Sequence, residues 1–383
     1  MMRSQLILVV IFIVLITFAF RASNNMMVTT VPLVAKYDFD LSATEIGLLS
    51  SAFSLASFTA TLYNSKICVR RRRVYFMGAS IAFAILLPLF YLATPITIWL
   101  LSVLAGFVMG LLMPNIITSA GLYDDPKIRE RVLAVYTLAL STSLVVGPSI
   151  EGVMLLKFSL KQVFLLFLPL GVLVALIAPT IRFPQLESRS GIGVKQVTRN
   201  PYFLTAVYNN LTYNIPFAML TSFGGIYAKD FFNASYSQVE LLFALFFSTS
   251  FSMRLLLSLK HFERLINLTY LSVSLTIAGL FLMVLSPNLA FLALAFLILG
   301  FPHGFTYPIS LIYIGRGFRE ELRNAANSLF FSVMTIIGVI VPTVAGIMID
   351  SVGFKLGYLA LIAPVAALLF LIWRNEKNLK RAT

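Results

Sequence analysis

Apolar residues run along this chain in stretches of about 20 or more, each closed by charged or turn residues, and that length lets an α-helix cross a bilayer's hydrocarbon core. Twelve such stretches are read, at approximately 5–35, 45–65, 74–93, 96–122, 131–156, 161–181, 201–228, 237–258, 265–285, 288–314, 323–348 and 354–373. The opening run resembles a signal peptide. It has no small-residue cleavage site and stays apolar to Val34, so it is expected to be the first span. The pattern predicts an all-α membrane protein of twelve transmembrane helices.

Composition agrees with the pattern. Of 383 residues, 59% are hydrophobic and 11% charged, and the mean hydropathy is +0.92, far from that of a soluble domain. The net charge of +14 would suit a nucleic-acid partner if it lay on a polar surface, but here the basic residues punctuate apolar runs. They also alternate. One set of loops and ends holds 22 of the 29, including Arg70, Arg71, Arg72 and Arg73, whereas the other set holds Lys36, Lys157, Lys161, Lys229 and Lys355. Because Lys and Arg accumulate on the cytoplasmic side, both termini are expected there, in a multi-pass protein of the cell membrane. Arg21 and Arg254 are left inside spans. The single Cys68 excludes an internal disulfide, and with His261 and His303 as the only histidines no metal site is expected.

Compared with itself, the chain matches at an offset of 193 to 194 residues, as a duplicated bundle would. Ala35-Lys36 answers Ala228-Lys229, followed in each copy by Asp-Phe (Asp38-Phe39 and Asp230-Phe231, one residue closer in the second), and Ser42–Leu49 answers Ser235–Leu242. Gly106, Gly110 and Pro114 recur as Gly300, Gly304 and Pro308, and Pro148 with Gly152 recurs as Pro342 with Gly346. Small residues at such spacing serve helix packing in any membrane bundle; matches in register point to duplication. The expected organisation is an N-terminal six-helix bundle over 1–184, a cytoplasmic linker over 185–200 and a C-terminal six-helix bundle over 201–383.

With these features the chain resembles the major facilitator superfamily along nearly its whole length. The basic run Arg70-Arg71-Arg72-Arg73 stands where that family carries a basic loop between spans two and three, and DDPKIRER over 124–131 resembles its fourth-to-fifth loop. Gly147-Pro148 with Gly152 resembles the span-five motif typical of its antiporters, including multidrug exporters. Two departures stand out: Ile67 replaces the aspartate that usually precedes the basic cluster, and Glu151 replaces a common glycine. The resemblance implies two pseudo-symmetric bundles, a cavity between spans 1, 4, 7 and 10, and alternating access. Arg70, Arg71, Arg72, Gly147, Pro148 and Gly152 would then belong to the conformational motifs.

An ionisable group within a bilayer is costly and calls for an explanation. Arg21 shares a helical stripe with Thr17, Asn24, Asn25 and Thr29, and its repeat partner is Asn214, near Asn210 and Tyr213. Arg21, Asn24, Asn25, Asn210, Tyr213 and Asn214, with His303 and Tyr307, are the expected cavity lining. Arg21 alternatively pairs with a carboxylate, Glu151 being a candidate, and ties two helices. Glu151, just beyond Pro148, is the expected proton site, since desolvation favours the neutral acid. Glu45 and Glu240, at the starts of spans two and eight, are assigned to capping. His303 suits either proton exchange or packing, Arg254 is expected to snorkel, and Asn115, Asn324, Asn327 and Ser328 either line an inner vestibule or join helices.

No nucleotide-binding glycine loop and no hydrolytic constellation occurs, so neither an ATP-driven pump nor an enzyme is expected, and no cofactor. The expected function is secondary active transport of a small molecule, as proton-coupled export of amphiphilic compounds by a monomer among membrane lipids. Uptake or exchange of a small anion is the alternative, and a non-transporting receptor or assembly factor is a third class.

Overall fold

The computed structural model describes residues 2–123, 125–183, 194–260, 262–318 and 320–382. The boundary at 184, linker residues 185–193, and Asp124, His261 and Arg319 lie outside the described residues, as does the side chain of Asn324.

The helices follow the apolar stretches closely. They are α1 (Met2–Tyr37), α2 (Ala43–Lys66), α3 (Val69–Tyr91), α4 (Thr97–Ala120), α5 (Pro126–Met154), then α6 (Leu160–Leu166) and α7 (Leu168–Ile177), which share one span. After the short α8 (Val194–Arg199) come α9 (Pro201–Phe232), α10 (Tyr236–Leu259), α11 (Leu265–Leu285), α12 (Leu289–Gly317), α13 (Glu320–Ala360) and α14 (Ile362–Ala382). Gly353, at φ 80°, breaks the long α13, so its end and α14 together form the last span. Among the described residues, ten segments are long and apolar enough to cross a membrane, one of them the 55-residue Ala325–Leu379. That segment is two spans. The remaining one is α9, 32 residues long, whose hydropathy is diluted by Asn209, Asn210, Thr212 and Asn214.

Local chemistry sets the helix starts, and the repeat is visible in it. At α2, Ser42 N and Oγ donate to Glu45 Oε2, and Glu45 N donates back to Ser42 Oγ. At α10, Ser235 N donates to Gln238 Oε1 and Gln238 N to Ser235 Oγ. Reciprocal bonds of this kind satisfy amides that the first helical turn leaves unpaired. Among the described residues, the two non-glycines with positive φ, Asp40 (53°) and Asn233 (52°), are also repeat partners.

The chain divides into two compact units that are not simple halves: Met1–Leu41, Leu48–Ser188 and Ser235–Ala244 form one, and Ser42–Gly47, Arg189–Ala234 and Leu245–Thr383 the other. In the first, α1 packs on α4, α5 and α7, while α3 packs on α4, α6 and α7. A Cβ on Gly106 or Gly110 of α4 would overlap the Phe53 or Ser57 carbonyl of α2. In the second unit α9 packs on α12, α13 and α14, and Cβ atoms on Gly300 and Gly304 of α12 would collide with the Phe246 and Ser250 carbonyls of α10. The glycines are thus needed where backbones touch, and the same contact is made in both repeats. Large apolar side chains such as Ile11, Leu100, Leu176, Leu285 and Phe370 remain exposed, as a lipid-facing surface requires.

Candidate proton and substrate sites

Glu151 of α5 is fully buried, as expected for an embedded acid, but it is not isolated. Glu240 of α10 is also 0% exposed, and the two carboxyl groups lie within hydrogen-bonding reach of each other. Both residues belong to the first unit. Thr30 Oγ1 donates to Glu151 Oε1, and the Thr29 hydroxyl, 3.4 Å from Glu240 Oε2, is shared with the Asn25 and Met26 carbonyls. The other oxygens, Glu151 Oε2 and Glu240 Oε1, meet no donor among the described residues. Two ionised carboxylates offer acceptors only, so a hydrogen bond between them requires a proton held by the pair. Leaving two buried charges side by side without a cation would be severely unfavourable.

Close helix approach creates this arrangement. A Cβ on Gly152 would sit 3.2 Å from the Ser237 carbonyl and 3.6 Å from Glu240 Cβ, so the glycine beside Glu151 lets α5 settle on the start of α10. The assignment of Glu240 to a cap is therefore corrected: Gln238 closes the capping box at α10, whereas Glu240 is half a turn further on and turned toward α1 and α5. Glu45 does cap α2. The repeat carries a usable signal. Glu45 aligns with Gln238, leaving Glu240 opposite Gly47 and without a capping counterpart.

Arg21 does not pair with Glu151. The acid is turned to Thr30, nine residues beyond Arg21 and roughly 13 Å along the helix. Arg21 lies near Tyr136 of α5, and no carboxylate faces it among the described residues. Its Nε is buried without a partner among the described residues, as are Thr17 Oγ1 and Asn25 Nδ2. Asn24 and Asn25 are buried on the same helix, and Gly147 packs on Ala22 with 3.3 Å between its would-be Cβ and the Ala22 Cα.

In the second unit the structure brings Tyr213 and His303 together, 5.4 Å between ring centroids. Phe217 stacks on His303 at 4.7 Å, Phe246 and Phe247 complete the nest, and His303 Nδ1 is 2.7 Å from Ser250 Oγ. Asn210 is buried, Asn214 Nδ2 donates to the Met334 carbonyl, and Tyr307 packs on Phe330 and Phe331. Asn209, not singled out in the sequence, joins α9 to α12 through the Thr306 carbonyl and Ser310 Oγ. Arg254 is half-buried, and its charge bears on Tyr213 and Tyr307. Asn115 bonds Asn64 and the Leu111 carbonyl, a helix-joining role, while Asn327 is half-buried and Ser328 exposed. In the basic run, Arg72 donates to the Ile67 carbonyl and Arg73 to that of Pro179; Arg71 is exposed.

The sequence profile of the Major Facilitator Superfamily matches residues 13–259 and 225–383. The chain belongs to that superfamily. Solved structures agree on the fold. A bacterial homolog of the human lysosomal transporter Spinster, inward-facing and occupied, aligns with TM-score 0.70 at 17% identity over 97% of both chains. The nucleoside transporter NupG aligns with TM-score 0.71 at 14% identity over 96% of this chain and 99% of its own. The human organic anion transporter MFSD10 (TETRAN) gives 0.69 at 16% identity, over 95% and 98%. Comparison with curated protein sequences gives no match. As a superfamily member, the protein is a multi-pass secondary transporter of small molecules working by alternating access, and not an enzyme.

Proposed function

We propose that this superfamily member is a proton-coupled exporter of amphiphilic compounds, acting as a monomer in the cell membrane with both termini cytoplasmic, and that Glu151 and Glu240 together carry the coupling proton. The carboxyl pair is the observation that carries this reading. A shared proton closes the contact between α5 and the first turns of α10; its loss sets two buried charges against each other and opens that contact. Because α10 continues from Ala244 into the second unit at Leu245, the opening acts on a helix common to both units, which is how a proton can be tied to alternation. The Thr29 and Thr30 hydroxyls on α1 stabilise the remaining charge. Resemblance of Gly147-Pro148 to the antiporter motif of span five supports export.

Inverted membrane vesicles, energised to acidify their interior, provide the test. Accumulation of fluorescent amphiphiles should depend on the pH gradient, stop when an ionophore collapses it, and be lost in Glu151→Gln and in Glu240→Gln. Accumulation that persists without the gradient, or survives both substitutions, overturns proton coupling through the pair.

A further inference from the structure

Helix α1 presents a row of hydrogen-bonding groups that the first unit does not satisfy. Thr17, Arg21 and Asn25 follow one another at intervals of four residues, which places them on one face, and each has a buried polar atom without a partner: Thr17 Oγ1, Arg21 Nε and Asn25 Nδ2. Thr17 is 1% and Asn25 8% exposed. The row is almost entirely donors, since a guanidinium and an amide NH2 can only donate and a hydroxyl can do either. The positive charge at its centre has no carboxylate against it among the described residues, and its neighbour Tyr136 contributes only a phenol. The acids of the unit's core, Glu151 and Glu240, are occupied with each other one helical stretch away. A half-buried cation with a buried Nε, flanked by unmet donors, is the complement of an anionic group with several acceptor oxygens.

We propose that Arg21, with Thr17 and Asn25, forms the binding site for the anionic head of the transported compound, making the cargo class amphiphilic organic anions such as carboxylates and sulfonates. This assignment rests on the export reading for its physiological direction, but the site itself is defined independently of the proton pair. Arg21 supplies the charge and a planar fork matched to a carboxylate or sulfonate. Thr17 and Asn25 lie one turn to either side, about 6 Å away along the axis, and take the outlying oxygens. The separation of the two sites along α1 gives them different roles: cargo binds near Arg21, and the proton is held beyond Thr30.

The test measures thermal unfolding of the protein in lipid nanodiscs with four compounds that share an aromatic body: 2-naphthoate, 2-naphthalenesulfonate, 2-naphthylmethylamine and 2-naphthylmethanol. A ligand that binds the folded state raises its apparent stability. The two anions should stabilise the wild type, and the amine and alcohol should not. Arg21→Gln should weaken the anion effect at least about tenfold, as loss of a charge-assisted bond does. Should Arg21→Gln fail to yield folded protein, Asn25→Ala gives the second measurement, with a smaller loss confined to the anions. The pair Glu151→Gln with Glu240→Gln should retain anion stabilisation while abolishing gradient-driven accumulation, so failure of the proton reading and failure of this one are separate results. Equal stabilisation by all four compounds, no stabilisation by the anions, or anion stabilisation undiminished in Arg21→Gln overturns the proposal.

Discussion

Thr30 is the side chain on which the acid pair leans most directly, because its hydroxyl is the donor to Glu151. Thr30→Val keeps the shape and removes the donor, so it should destabilise the fold by about 1–3 kcal/mol, read as a lowered unfolding temperature. A second residue-scale effect lies outside the membrane spans. Burial raises the Asp38 carboxyl above its ordinary value of 3.8, with Lys161 opposing the shift. The folded protein then binds this proton more tightly than the unfolded chain, so stability falls as pH rises from the ordinary carboxylate range through the raised folded value. Asp38→Asn should therefore unfold at a higher temperature than wild type at neutral pH, and the difference should vanish on acidification below the ordinary value. Single residues were also where the sequence was least legible. Glu151 announces itself as an embedded acid, but Glu240 lies close enough to a helix start to pass for a cap, and its partner is far away in the chain. Linear spacing does not reveal which of two faces such a residue takes.

At the scale of helices, glycines separate into those that are filled against and those that are not. A methyl group on Gly106 or Gly300 would run into a backbone carbonyl, whereas one on Gly78 or Gly315 meets nothing within 4 Å. Gly106→Ala and Gly300→Ala should each destabilise by about 1–3 kcal/mol through overpacking. Gly78→Ala, in the interior of α3, should stabilise by roughly 0.5–1 kcal/mol through lost backbone freedom in the unfolded chain. Parallel unfolding curves of the three variants check the contrast. Helices were the most legible level of the sequence, since apolar length fixes a span and its polar neighbours fix the ends. Two helices need more than apolar length. Polar α9 is held in place by bonds to α12 and α13, and the last two spans, parted in the sequence by Asp350, Ser351 and Lys355, are parted in the backbone at Gly353.

Across the whole molecule, the two repeats make related contacts with different chemistry. In the first unit α5 meets the start of α10 through Gly152 and the acid pair. In the second, α13 meets the start of α2 through Gly346 and Gly47, whose Cβ atoms would overlap the Ala43 and Pro342 carbonyls. There Asp350 accepts bonds from Ala43 N (3.1 Å), Thr44 N (2.7 Å) and Thr44 Oγ1 (2.6 Å). Asp350→Ala should cost about 1 kcal/mol of stability, as loss of a helix cap does, with the pH dependence of transport left as in wild type. The duplication itself could be read from the sequence; its asymmetry could not, because Gly47 facing Pro342 and Glu240 facing Glu151 become comparable only once the helices are paired in space.

The difference between these two contacts also bears on ancestry. An assembly of two identical bundles would carry an acid at both equivalent positions or at neither, since one gene would encode both. Joining the copies in a single polypeptide frees each to mutate separately. One joint can then keep a plain glycine-to-carbonyl contact while the other takes a pair of acids, a division of labour open to a fused chain and closed to a homodimer.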